Sequence, residues 1–414
     1  MKMKHCRFAV AALSGLFFAV NSGSAQTWTV TSAPLTNWTA IASSADGTKL
    51  VATVAYYNGF PNDLGLIYTS TNSGATWILR KQINEFLISV VSSSDGQKIF
   101  ALDQYGGLSA STNSGSTWKV TTGPGGFWRS LVCSADGTRL AALGSSSGDR
   151  IYTSTNSGTS WMPASAPNTN GWRGLATSAD GTKLVGVASH DGIYISTNSG
   201  ATWILTSAPS NSWVAVASSA SGSTLVAAVG YFGGGPIYSG PIYRSIDSGA
   251  TWSATSAPIA LWQNVASSAD GTKLTAMSDD TNPGDTGTIC TSLDSGATWT
   301  ITTVPGKNWF AFTASADGCK LAAVTDDKFG DAAGEIYTWQ VTPKPELSIS
   351  PTEGNEVISW TVPSQNFGLQ QNSNLTTTNW TDVTSPSTVL NLTNLQNQVT
   401  ISRTNSSRFY RLVH

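Results

Sequence analysis

Carboxylates and aromatic rings, the two residue types here best able to do chemistry, gather in the same short stretches of this chain. Asp63 lies near Tyr56 and Tyr57, Asp103 beside Tyr105, and Tyr231 and Phe232 open a glycine-rich stretch of the same kind. Rings of this sort stack on the C–H faces of sugars while carboxylates accept hydrogen bonds from hydroxyls, so the pattern fits glycan binding. The same acids would serve an inverting glycoside hydrolase, which needs two carboxyls roughly 6.5–9.5 Å apart across a cleft. Arg129 and Arg173, each following a tryptophan, add cations for an anionic group of a ligand. His190 is the one histidine between residues 26 and 342, so a histidine-rich zinc centre is excluded there. Its neighbours Ser189, Asp191 and Gly192 read as a tight surface turn, with Asp191 kept among the ligand-binding candidates.

Two further stretches place paired aspartates ahead of a Gly-Asp corner: Asp279, Asp280 and Asp285 in one, Asp326, Asp327 and Asp331 in the other. Six carboxylates at equivalent positions of neighbouring units would repel unless a cation, a hydroxyl-rich ligand or Lys328 compensated them. Calcium, a hard cation that takes several oxygen ligands in flexible loops, is the ion such a cluster would hold. No other cofactor is indicated. The competing reading is that Lys328 and water suffice.

What must position these residues is a repeat. Ser70 to Trp77 reads Ser-Thr-Asn-Ser-Gly-Ala-Thr-Trp, and the pattern Ser-x-Asn/Asp-x-Gly-x-x-Trp returns at Ser111, Ser154, Ser196, Ser245 and Ser292. The Asx side chain closes a turn onto backbone amides, glycine permits a positive φ, and the tryptophan starts the next strand. Interleaved with it are hairpin signals at Asp46-Gly47, Asp95-Gly96, Asp136-Gly137, Asp180-Gly181, Ser221-Gly222, Asp270-Gly271 and Asp317-Gly318. Their spacing, roughly 41 to 49 residues, suits a unit of four short strands. Eight residues ahead of each hairpin stands Trp38, Trp128, Trp172, Trp213, Trp262 or Trp309, with Leu87 the exception. The segment Thr27 to Pro34 matches the fourth strand of the other units, and the seventh unit, around Trp309, lacks its own. The two fragments complement each other, so the reading is an all-β, seven-bladed β-propeller closed by its N-terminal strand, which removes open sheet edges.

The Ser-x-Asp-x-Gly-x-x-Trp motif resembles the Asp-box, and on its six copies the chain resembles the BNR/Asp-box β-propellers related to sialidases. In that family the box is structural and does not specify activity, which the site must show for itself. The resemblance to sialidases proper is incomplete. No Phe-Arg-Ile-Pro-like motif appears, the propeller segment has only Glu85 and Glu335, and seven units depart from the sialidases' six blades.

Residues 1–25 read as a secretory signal peptide: Lys2, Lys4 and Arg7, the apolar run Phe8 to Val20, then Gly23-Ser24-Ala25. The expected address is secreted, extracellular or periplasmic. The propeller would occupy 26–342, Pro343-Lys344-Pro345 a stiff linker, and 346–414 a small C-terminal β-sandwich with strands near Glu356–Val362, Phe367–Gln371, Trp380–Val383, Gln398–Ser402 and Arg408–Val413. Charged residues are 11% of the chain and the net charge is −2, which gives no electrostatic case for nucleic acid or an anionic membrane. No segment after the signal has the length to insert in a membrane. Cys133, Cys290 and Cys319 remain after the signal, with a Cys290–Cys319 bridge left open. Oligomeric state is not legible. Three functions fit: a non-catalytic propeller binding a glycan or another extracellular partner through its loops, a glycoside hydrolase using paired loop aspartates, and a structural or protein scaffold.

Overall fold

The computed structural model describes residues 28–56, 63–123, 126–144, 150–169, 171–230, 239–278, 287–302, 308–325, 334–340, 347–352, 355–361, 368–373, 379–384, 389–391, 396–402 and 408–413. All regular structure among them is β-strand. Each of seven sheets between residues 28 and 340 has four antiparallel strands. In the first, Trp38–Ser43, Leu50–Tyr56, Leu64–Ser70 and Ile78–Ile83 pair in sequence order. The seventh is assembled from both ends of this region: Trp309–Ala314, Lys320–Thr325 and Ile336–Gln340 are followed by Thr29–Val30, with Thr29 opposite Thr338 and Val30 opposite Tyr337. Trp28 rides with that strand, its ring 5.3 Å from Trp309 and 6.3 Å from Trp339.

The seams between sheets are apolar and repeat the same composition. Trp38 and Ile41 pack with Ala322, Val324 and Ile336 of the seventh sheet, while Ala40 and Ala42 face Leu87, Val90 and Ile99 of the second. Small residues on one side of the inner strand and large ones on the other thus fit wedge-shaped sheets together. The second strands, such as Leu184–Ala188 and Leu225–Val229, are buried throughout, as expected of a strand covered on both faces. Inner-strand tryptophans meet third-strand tyrosines edge to face: Trp38–Tyr68, Trp128–Tyr152, Trp213–Tyr243 and Trp309–Tyr337 have ring centroids 5.2–5.5 Å apart. The second sheet has Leu87 and Ser109 at these positions and the sixth has Cys290 for the tyrosine.

Around the axis, a chain of backbone hydrogen bonds of 2.6–2.8 Å links the hairpins. Ala45 donates to Ser94, Ser94 to Ala135, Ala135 to Ala179, Ala179 to Ala220, Ala220 to Ala269, Ala269 to Ala316, and Ala316 back to Ala45.

The Cys290–Cys319 bridge that the sequence left open does not form. Cys290 is buried in the apolar core with Trp262 and Leu274, Cys319 donates to the Asp317 carbonyl at 3.2 Å, and all three described cysteines are free thiols. Burial pushes Cys290 up to about 11 and Cys133 and Cys319 up to about 12.

The described residues between 347 and 413 form two further sheets. One contains Ser348–Thr352, Asn355–Thr361, Gln396–Ser402 and Val389–Asn391, the other Thr381–Asp382, Gly368–Asn372 and Phe409–Val413. They share a core of Ile358, Trp360, Leu369, Val399 and Ile401. Ser348–Thr352 and Val389–Asn391 lie outside the strand-like runs of the sequence. Pro351 masks the first of them, and the second has only three residues.

Candidate functional site

The strand order sorts side chains onto two faces. Hairpins between first and second strands, together with the Ser-x-Asn/Asp-x-Gly turns (the boxes) between third and fourth, lie on one; the ends of the second and third strands away from these, with the described links between sheets, mark the other, the loop face.

On the hairpin face the chemistry is directed inward. In the first box the Ser70 hydroxyl donates to Asn72 Oδ1 at 2.9 Å and accepts the Gly74 amide at 2.9 Å, and Asn72 Oδ1 accepts the Thr76 amide. Two consecutive residues adopt positive φ, Ser73 at 55° and Gly74 at 88°, and all six boxes repeat this pair. Where the box carries aspartate, the threonine hydroxyl reverses and donates to the carboxylate, as Thr251 to Asp247 and Thr298 to Asp294, both at 2.6 Å. Those hydroxyl and amide bonds hold both carboxyls down at about 2. The hairpin aspartates do the same work. Burial raises Asp136, but hydrogen bonds from Ser134 and from the Thr138 amide and hydroxyl outweigh it and leave the group below its ordinary value.

Cations then tie five of the hairpins to the next sheet. Lys49 Nζ donates to the Asp95 carbonyl, Lys183 to Ser221, Lys273 to Asp317, and Arg139 to Ser199 Oγ, at 2.7–2.9 Å. Lys320 Nζ reaches Ser73 Oγ at 3.2 Å across 247 positions of sequence. A cavity of about 200 Å³ at this end of the axis is lined by small residues such as Ser43, Ser94, Cys133 and Ala269. The Ser43, Ser92, Ser218 and Ser267 hydroxyls each donate to the following carbonyl.

On the loop face every inner strand carries a bulge directly after its first residue, so that Thr39, Ile88, Arg129, Arg173, Val214, Gln263 and Phe310 are the extra residues. Arg129 and Arg173 therefore occupy equivalent places in adjacent sheets. Both are half-buried, and Arg173 Nη1 donates to the Trp172 carbonyl at 3.3 Å.

The other predicted site residues are more committed than their sequence context implied. Asp103 is 6% exposed and closes its own turn by accepting the Tyr105 amide at 2.8 Å and the Gly107 amide at 2.9 Å. Asp63 is 2% exposed, with Gln104 Nε2 at 3.5 Å. Tyr56 hydrogen bonds the Thr36 hydroxyl, and Tyr105 packs against Phe127 at 5.6 Å. Asp191 accepts the Tyr194 hydroxyl at 3.1 Å, and its backbone bridges Asn211. The turn expected at His190 is present, with φ of 60°. Tyr57, Tyr231, Phe232 and all six aspartates of the calcium expectation (Asp279, Asp280, Asp285, Asp326, Asp327, Asp331) lie outside the described residues. Among the described residues no group of three metal-ligating side chains is placed to hold an ion.

Two features escaped the sequence reading. Glu85, in the link to the second sheet, joins Asp63 and Asp103: desolvation first, then those two charges, raise its carboxyl above the ordinary value. Its Oε2 is buried with no hydrogen-bond partner. The second is apolar exposure on the loop face, at Leu35, Phe127, Ile259 and Phe310. Phe127 directly follows Gly125-Gly126, a turn signal that marks it for exposure. The tyrosine–glutamate pair a sialidase would need has a counterpart in Tyr337 and Glu335, whose hydroxyl and Oε2 lie 2.7 Å apart, but Tyr337 is buried beneath Trp309.

No protein-family model matches the chain, and no curated protein matches it. Among solved structures it is similar to YCF48 bound to D1 peptide, at 15% identity and a TM-score of 0.52, covering 76% of this chain and 97% of that one. It is also similar to YCF48 from Cyanidioschyzon merolae, at 13% identity and a TM-score of 0.53, covering 76% and 98%. At such identities the likeness carries the fold: an all-β propeller of repeated, strand-rich blades.

Proposed function

We propose that the chain is an exported, seven-bladed Asp-box propeller, closed by its N-terminal strand, that docks a segment of another protein on its loop face. Residues 26–342 form the propeller in this reading, and 346–414 an accessory β-sandwich. The observation that carries it is the division between faces. Hairpins and boxes satisfy one another's polar groups and expose Ile246 and Leu293 beside them, whereas the loop face exposes Leu35, Phe127, Ile259 and Phe310 on the same face as the half-buried Arg129 and Arg173. Large apolar side chains beside arginines are the composition of a protein interface more than of a polyol site. Deep burial of Asp63 and Asp103 removes two carboxylates from the set open to sugar hydroxyls. The structure of YCF48 bound to D1 peptide gives a propeller of similar fold with a peptide partner.

Selection from a displayed peptide library, run beside a glycan array, tests the reading. Enriched peptides should lose at least tenfold in affinity for Phe127→Ser with Arg129→Glu, and keep it for hairpin-face changes. Glycan hits without peptide enrichment would overturn it.

A further inference from the structure

Besides its two faces the propeller has a rim, formed by the outermost strand of each sheet. We propose that the outer edge of the first sheet, Ile78–Ile83, is a strand-addition site for an extended acidic segment of a partner protein.

The rim strands differ sharply in length. Ile78–Ile83 has six residues, against four in Lys119–Thr122, three in Thr300–Thr302 and two in Met162–Pro163, Ile204–Leu205, Ser253–Ala254 and Thr29–Val30. Short edge strands and an edge proline are two of the protections against pairing with another chain, and the first sheet has neither; its edge is guarded by a bulge at Arg80 and by Lys81. Its outermost strand pairs only with Leu64–Ser70 and leaves about 20 Å of backbone edge without a neighbouring strand among the described residues.

The side chains select the occupant. Ile78 and Leu79 are 51% and 47% exposed, one on each side of the strand. Arg80 and Lys81 follow at a bulge, Lys81 opposite Ile67 and Arg80 reaching Thr69, so both cations lie on one side, and the strand contains no acid. Arg80 Nε donates to Thr69 Oγ1 at 2.8 Å, and Lys81 has no hydrogen bond or ion pair with the described residues. A second copy pairing antiparallel through this edge would set cation against cation, which is destabilising. Lysine on an edge repels neutral and basic strands but attracts an acidic one, to which main-chain hydrogen bonds would add affinity. An antiparallel partner would carry two acids, then two apolar residues, read from its N-terminus. This site is separate from the loop face and does not depend on the function proposed for it.

The probe is the peptide Thr-Glu-Glu-Val-Val-Thr, titrated into the full chain by fluorescence polarisation, with hydrogen exchange read at residues 78–83. Binding is expected to protect those amides and to weaken at least tenfold in Lys81→Glu, whose melting temperature should match the parent. N-methylation of alternate amides along one edge of the peptide should abolish binding, and along the other leave it intact. Equal affinity for Thr-Lys-Lys-Val-Val-Thr, protection confined to the loop face, or no binding at millimolar peptide would each overturn the proposal. Concentration-dependent slowing of exchange at 78–83 without peptide would overturn it in favour of a second copy.

Discussion

The two faces of the propeller use the same residue types to opposite ends. On the hairpin face, serine, aspartate and lysine are bound within their own turn or to the neighbouring sheet. On the loop face, aspartate and arginine sit in segments that change length and composition from sheet to sheet. Even the exception on the hairpin face obeys the rule. The fifth hairpin has Ser221 and Thr224 where most others have aspartate and lysine, and there Arg244 donates to the Ser295 carbonyl at 2.8 Å, restoring a cationic tie from the third strand. Where a seam must be held, the lost contact is replaced; where loops only need to leave the scaffold standing, composition drifts.

The sharpest way to break this contrast is at the junction of the seventh sheet. Trp28→Ala removes an indole packed on Trp309 and Trp339, and should cost about 3–5 kcal/mol. Deleting residues 28–34 should leave an open edge and aggregation; a deletion variant that melts like the parent would refute closure by that strand. Next comes the box. Gly200 has a φ of 88° and a Cβ there would lie 3.1 Å from Thr153 Cγ2, so Gly200→Val should lose roughly 1–3 kcal/mol by denaturant titration while loop-face binding persists. Loss of binding at unchanged stability would reverse the assignment of faces.

Smaller effects sharpen the picture. Phe127→Ser on the loop face should change stability by no more than about 0.5 kcal/mol, because the ring is 53% exposed. The smallest effect belongs to Asp247→Asn with Asp294→Asn. Both carboxyls titrate at about 2 in the folded chain, below their ordinary value of 3.8, so their contribution is complete above about pH 4 and lost as pH falls toward 2. Asparagine serves in four other boxes, donating from Nδ2 to the hydroxyl of Thr76, Thr117, Ser160 or Thr202. The double variant should therefore match the parent below about pH 2 and flatten the melting-temperature slope between pH 4 and 2; an unchanged slope would place the acid sensitivity elsewhere.

The sequence by itself determined the turns. Ser70, Asn72 and Gly74 interact within eight residues, so their spacing already contains the geometry, and the same holds for each Asp-Gly hairpin and for the strands between. It also marked Thr29–Val30 as a fourth strand in search of a sheet, because that segment repeats the others in kind. Tertiary structure decided what depends on distance in space. The hydrogen-bonded ring from Ala45 through Ala316 and the reach of Lys320 to Ser73 join residues whose separation in sequence carries no signal. Burial was the other unread quantity. Asp63 and Asp103 look like free loop acids in the chain, but the links between sheets fold over them and add Glu85 beside them, because loop packing follows from how far neighbouring sheets splay and not from any local pattern.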